Sequence, residues 1–360
     1  MYRCDDCGRE YDMTAGAPWR CVCGHALDFA DQPRPASDSP PADLDRDRGL
    51  WAFAEFLPVD SHVTLGEGWT PLVEAPDWDA TFKLESLFPT GSFKDRGAAV
   101  TLSLAQQLGV ERVLEDSSGN AGHAIATYAA RAGIDADIYV PADAKPAKIE
   151  AIERTGATAV QIAGDRQAVT DACLDAVQSG EGWYASHAWH PSFFAGTATF
   201  ALELAAQRDW SVPDVVVTPL GHGTLFLGAY RGFRALSDAG WTDGLPRLVG
   251  AQAAGVAPIV ESLHGTDAAT GHNDAADGIQ ITEPARRDQI LAAIEATDGD
   301  AVAIDTETTE RALSRLRERG LDTEPTCAVA PAALDSLRQR GDIGADEDVV
   351  VALTGTGLKA

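Results

Sequence analysis

Lysine is scarce in this chain: it occupies five of 360 positions, at 83, 94, 145, 148 and 359. Methionine is scarcer still, at two. Basic residues number 28 against 55 acidic ones, for a formal net charge of −27. Phosphate backbones demand local positive charge, so no broad nucleic-acid surface is expected. No run approaches the roughly 18 consecutive apolar residues that cross a bilayer, so no membrane segment is expected either. The opening Met1-Tyr2-Arg3-Cys4-Asp5-Asp6 lacks the apolar stretch of a secretory leader, which makes a cytoplasmic protein the expectation. So large an acidic excess suits a halophilic protein, because concentrated salt screens the self-repulsion.

What is present begins with cysteine. Four of the six lie in the first 23 residues, while Cys173 and Cys327 stand alone. Cys4-x2-Cys7 and Cys21-Val22-Cys23-Gly24 have the paired form that holds tetrahedral zinc through thiolates, although the second pair has one intervening residue where two are usual. His25 is a substitute ligand, and a ribbon that has lost its metal is the competing reading. Residues 1–30 form this zinc-ribbon-like module. Residues 31–48, rich in Pro, Asp and Ser, read as a linker. The main body runs over 49–360, with a smaller α/β subdomain at about 98–185.

From Val110 onward, short apolar strands alternate with helical patterns. Examples are Val113 to Asp116, then a helix over His123–Ala132; Asp137 to Pro141, then Ala147–Thr155; and the near-continuous apolar strand Asp214 to Pro219. A helix from Ala330 to Arg340 precedes the last strand, Asp348 to Leu353. Such alternation with short loops predicts an α/β fold of two doubly wound parallel-sheet domains.

Three strand-to-helix loops collect polar and small residues where such sheets bind ligands. They are Ser117-Ser118-Gly119-Asn120, Gly221-His222-Gly223-Thr224 and Thr354-Gly355-Thr356-Gly357. The first two place hydroxyls and backbone N–H groups at helix starts, as anion sites require. Ahead of all three stands Lys94, in Pro89-Thr90-Gly91-Ser92-Phe93-Lys94-Asp95-Arg96-Gly97. Singly, each loop also reads as a plain turn, and the lysine as a solvated charge. Together they point to an aldehyde-and-phosphate cofactor, pyridoxal phosphate, held covalently by the lysine amine.

The Pro89–Gly97 motif resembles the cofactor-lysine motif of fold type II pyridoxal-phosphate enzymes, the tryptophan synthase β-like group. Within that group the chain is most similar to the threonine synthases. Gly66-Glu67-Gly68-Trp69-Thr70-Pro71-Leu72, Glu324-Pro325-Thr326 and the last glycine loop match in order and spacing. The resemblance covers about residues 49 to 360, and a cysteine ribbon occurs in some members. It implies that Lys94 binds the cofactor aldehyde and then moves the substrate Cα proton. Asn120 would hydrogen-bond the phenolic oxygen, and Ser117, Ser118 and Gly119 would cradle the substrate carboxylate. Gly221, His222, Gly223 and Thr224 would bind the cofactor phosphate, and Thr354 would face the pyridine nitrogen. His222 departs from the small or amide residue usual there, and Ser117–Gly122 differs from the Ser-Thr-Gly-Asn-Thr form of many threonine synthases.

The implied activity is conversion of O-phosphohomoserine and water to threonine and phosphate. A threonine or serine dehydratase, or a β-replacing synthase, is the alternative on the same fold. A phosphorylated substrate needs a further cationic pocket, for which Arg96, Lys145, Lys148 and Arg154 are candidates. His187 and His190 are either structural or within reach of the site. The only partner expected is a small amino-acid substrate, in a homodimer.

Overall fold

The computed structural model describes residues 1–60 and 62–359. Ser61 and Ala360, both inside the 49–360 region set out above, lie outside the described residues. The chain divides into two compact units. The first comprises Met1–Ala36, Pro41–Gly68 and Lys94–Thr199; the second comprises Ser37–Pro40, Trp69–Phe93 and Phe200–Ala360.

The first unit opens with a small antiparallel sheet of β1 (Tyr2–Arg3), β2 (Glu10–Tyr11) and β3 (Asp28–Phe29), in the order β2-β1-β3. Strands β4 (Leu72–Ala75) and β5 (Ala80–Lys83) belong to the second unit. The first unit's main sheet uses β6 (Arg112–Glu115), β7 (Asp135–Pro141), β8 (Thr158–Ile162) and β9 (Trp183–Tyr184), all parallel, in the order β8-β7-β6-β9. Around it run helices α1 (Lys94–Gln107), α2 (Asn120–Ala132), α3 (Pro146–Glu153) and α4 (Arg166–Gln178). Helix α5 (Pro191–Gln207) belongs to this unit as far as Thr199.

Helix α1 is built of small residues and is buried from Asp95 to Ala105. Gly97 shows why smallness matters: a Cβ there would lie 2.1 Å from the Phe193 ring of α5. Gly196 repeats the device from the other helix, where a Cβ would lie 2.1 Å from the Arg96 carbonyl oxygen. Helix α2 ends at Gly133, whose left-handed φ of 71° lets its amide close back onto Ala129 and Ala130.

The second unit holds a six-stranded sheet completed by β10 (Val215–Pro219), β11 (Arg247–Ala253), β12 (Asp300–Ile304) and β13 (Val349–Ala352). Its order is β12-β11-β10-β13-β5-β4, parallel except for the antiparallel edge strand β4. Val215, Val216 and Val217 are fully buried at its centre, each stabilising by about 1.5–3 kcal/mol through removal from water. Its helices are α6 (Thr224–Asp238), α7 (Pro258–His264), α8 (Thr266–Ala269), α9 (Arg287–Ala296), α10 (Thr306–Glu318) and α11 (Pro325–Arg340). The architecture is the α/β arrangement of two predominantly parallel sheets with a small N-terminal module that the sequence predicts. No helix among the described residues is long and apolar enough to cross a membrane.

Candidate active site

In the first unit, Lys94 is the first residue of α1 and is half-buried. Its ammonium lies 5.9 Å from the centre of the Phe193 ring, within cation–π range. Asp95 and Arg96, next in sequence, are fully buried. Arg96 donates from Nη1 to the Thr199 hydroxyl at 3.1 Å, so this candidate for a substrate phosphate is an inward-facing core group. Among the other candidates, Lys145 is exposed, Lys148 is half-buried and Arg154 pairs with Glu150 at 2.8 Å.

Ser117, Ser118, Gly119 and Asn120 bridge β6 and α2, all partly exposed. Gly119 is the N-cap and Asn120 the first helical residue, so the helix begins three residues earlier than its apolar pattern indicates. As a glycine, Gly119 brings no side-chain cap of its own. The Ser117 hydroxyl instead accepts from the Gly119 amide at 3.3 Å. Gly122 must be glycine, because a Cβ would lie 1.8 Å from the Ser117 carbonyl oxygen. The loop therefore presses against the start of α2, and a helix N-terminus is a position that suits a carboxylate.

At the end of β6 the structure adds a pair whose chemistry the sequence did not foreshadow. Glu115 is fully buried, and its Oε1 lies 2.5 Å from Nδ1 of the buried His187. Its Oε2 accepts from the His187 amide at 3.2 Å. Burial, reinforced by neighbouring Asp116, pushes the Glu115 carboxyl well above the usual carboxylate range; the His187 amide, Lys94 and Arg166 oppose this. His190, the other histidine of that loop, instead joins a buried hydroxyl chain. Its Nδ1 lies 2.6 Å from the Ser192 Oγ, which lies 2.9 Å from the Thr101 Oγ1.

In the second unit, β10 runs into Gly221, His222 and Gly223, then α6 from Thr224. Gly223 is the N-cap with φ 75° and, as a glycine, brings no side-chain cap of its own. A Cβ at Gly221 would sit 3.2 Å from the Ile279 Cα, and one at Gly223 2.6 Å from the Ile290 Cδ1. Side-chain carbons are crowded out at both glycines, which brings the backbone of the turn close to whatever binds there. His222 is half-buried and Thr224 buried.

The loop after β13 is tied to the residues just before the lysine. Phe93 donates its amide to the Thr354 carbonyl at 3.1 Å, the Thr356 amide donates to the Gly91 carbonyl at 2.9 Å, and Ser92 bridges Gly355. Thr354 is buried, and its hydroxyl lies 3.3 Å from the Cys327 Sγ. Cys327 also accepts from the Gly355 amide at 2.9 Å. Burial, then the charge of Glu324, pushes the Cys327 thiol up to about 12. It is a neutral thiol that fixes the Thr354 loop. As a lone cysteine it gave no sign of that role in the sequence.

The ribbon brings Cys4, Cys7, Cys21 and Cys23 together, with their four sulfurs within 4.8 Å of one another. The closest contacts are Cys4–Cys23 at 3.5 Å and Cys7–Cys21 at 3.4 Å. Burial disfavours the Cys21 thiolate, but bonds from the Cys23 amide, the Tyr11 hydroxyl and neighbouring thiols outweigh it and lower Cys21 to about 6. His25 stays at the edge, in an exposed group with Asp6 and Cys23. The four thiols alone make a compact donor set of the kind tetrahedral zinc takes.

Comparison with known proteins places this geometry. The sequence profile of the pyridoxal-phosphate dependent enzymes matches residues 63–355, and the chain belongs to that family. Its fold is shared with serine racemase from maize (TM-score 0.69, 21% identity, 88% of this chain and 94% of that one). The processed threonine deaminase isoform 2 of Solanum lycopersicum gives 0.69 at 20% identity, over 91% and 94%.

Within the family the chain is threonine synthase-like. It is 32% identical to the threonine synthase of Methanocaldococcus jannaschii, over 100% of this chain and 93% of that relative. The threonine synthase of Synechocystis is 33% identical, over 97% and 91%.

Proposed function

We propose that the chain converts O-phosphohomoserine and water to threonine and inorganic phosphate. The observation that carries this reading is the extent of the likeness: similarity to threonine synthases runs through the whole chain, the cysteine ribbon included. The residues fit the cofactor such an enzyme needs. The two glycines of the Gly221–Gly223 turn leave little or no room for a Cβ and bring backbone to the start of α6, suited to a phosphate. In the second unit, the buried hydroxyls of Ser92 and Thr218 have no hydrogen-bond partner among the described residues.

Pyridoxal phosphate, when bound, supplies an electron sink for the substrate's Cα carbanion. Lys94 would hold it and carry the Cα proton on its amine. Asn120 would donate to its phenolic oxygen, and Thr354 would meet its ring nitrogen with a hydroxyl. Gly221, His222, Gly223 and Thr224 would hold its phosphate, while Ser117, Ser118 and Gly119 hold the substrate carboxylate. Cys4, Cys7, Cys21 and Cys23 would hold a structural zinc. Phosphate release with threonine formed from O-phosphohomoserine supports this reading. A 2-oxo acid formed from threonine or serine, without phosphate release, supports the dehydratase reading instead.

A further inference from the structure

One buried ionisable pair lies within electrostatic reach of the lysine and takes no part in the roles above. His187 and Lys94 flank the same aromatic ring: the His187 ring centre is 6.1 Å from that of Phe193, and the Lys94 ammonium 5.9 Å. Glu115 grips His187 twice, through ring and amide, at 2.5 and 3.2 Å. Two such bonds fix the imidazole's orientation and place its Nδ1 against a carboxylate. We propose that Glu115 and His187 form a single proton-holding unit of zero net charge beside Lys94, positioning residues that set the proton affinity of the lysine nitrogen. This rests on Lys94 being the cofactor lysine.

The physical reason is the cost of an unpaired buried charge. An ionised Glu115 without His187 would draw a proton toward Lys94, because opposite charges at low dielectric favour one another. His187 cancels that pull. Other titratable or charged groups within electrostatic reach of Glu115 include Asp116, Arg166, Cys173 and Tyr184, besides Lys94 and His187. Asp116 accepts from the Thr170 and Tyr184 hydroxyls at 2.7 Å each. Each of these groups is unchanged by the substitutions below, so they form a constant background.

The test is a pH titration of the visible band of the lysine-bound cofactor in purified holoenzyme, for wild type, His187→Gln, Glu115→Gln and the double variant. His187→Gln should move the midpoint upward by about one unit, a tenfold change in proton affinity. Glu115→Gln should not raise it, and the double variant should lose the shift of His187→Gln. Circular dichroism melts identify any variant that does not fold, in which case Glu115→Asp and His187→Asn replace it. A His187→Gln shift that is absent, or that persists in the double variant, overturns the pair. A band absent from wild type, or surviving Lys94→Ala, overturns the cofactor-lysine reading itself and the pair with it.

Discussion

Lys83 is fully buried, with its ammonium 2.6 Å from Glu203, 2.8 Å from the Gln207 side-chain oxygen and 3.1 Å from the Thr70 carbonyl. The same Glu203 oxygen accepts from the Thr70 amide at 2.8 Å, and the Thr70 hydroxyl donates to buried Glu85 at 2.6 Å. Two of the chain's five lysines therefore have opposite assignments: one a sealed ion pair, the other a proposed reactive amine. Lys83→Met should cost about 3–5 kcal/mol, since it strands a buried carboxylate, and Lys83→Met with Glu203→Leu should recover much of that loss; urea unfolding of the three proteins checks it. Lys94→Ala should leave the unfolding midpoint near wild type while lowering turnover by about 10³-fold or more and removing the visible band. The lysine motif and its loops were legible because their residue types and spacing are dictated by chemistry. Glu115–His187 and Cys327–Thr354 were not, because contacts between residues 72 and 27 positions apart leave no local pattern.

Among the elements, the turn into α6 depends on Gly223. A non-glycine residue held at a φ of 75° costs roughly 1–2 kcal/mol, and Cβ would also press on Ile290. Gly223→Ala should lower thermal stability modestly and weaken cofactor retention sharply, measured by the fraction of cofactor lost on dialysis. The ribbon packs within the first unit through rings: Trp19 lies edge-on to Tyr184 and Trp189 at 5.6 and 4.9 Å, and Tyr2 edge-on to His190 at 5.8 Å. If zinc holds the ribbon, chelation should loosen these contacts and lower the melting midpoint by several degrees, restored by adding zinc; an unchanged midpoint would count against a metal there. Strand-helix alternation was readable because the strands are apolar runs between turn residues. Some helix starts were not, although α1 at Lys94 and α4 at Arg166 begin where the pattern puts them. Pro331 hid the first turns of α11, which begins at Pro325 and passes through that proline. Helix α7 is seven residues with only Ile259 and Val260 buried, too short to display a helical period.

For the whole molecule, 27 excess negative charges favour unfolding or swelling at low ionic strength through self-repulsion. Many acidic groups nonetheless lie in ion pairs, such as Arg112 with both Asp135 and Asp137 and Arg247 with Glu347, which salt would weaken. Repulsion outnumbers attraction at this net charge, so the melting midpoint should rise between about 0.1 and 1 M KCl, as the screening length falls from roughly 10 to 3 Å. A falling midpoint would remove the halophilic expectation without touching the catalytic one.

That catalytic claim meets its most direct test in one assay. Purified holoenzyme is given O-phosphohomoserine, and phosphate and threonine are quantified together, beside Lys94→Ala and beside wild type given threonine or serine. The account predicts phosphate and threonine in equal amounts from wild type, neither above background from Lys94→Ala, and no 2-oxo acid from threonine or serine at a comparable rate. Rapid 2-oxo acid formation from either amino acid, with no phosphate released from O-phosphohomoserine, would contradict it.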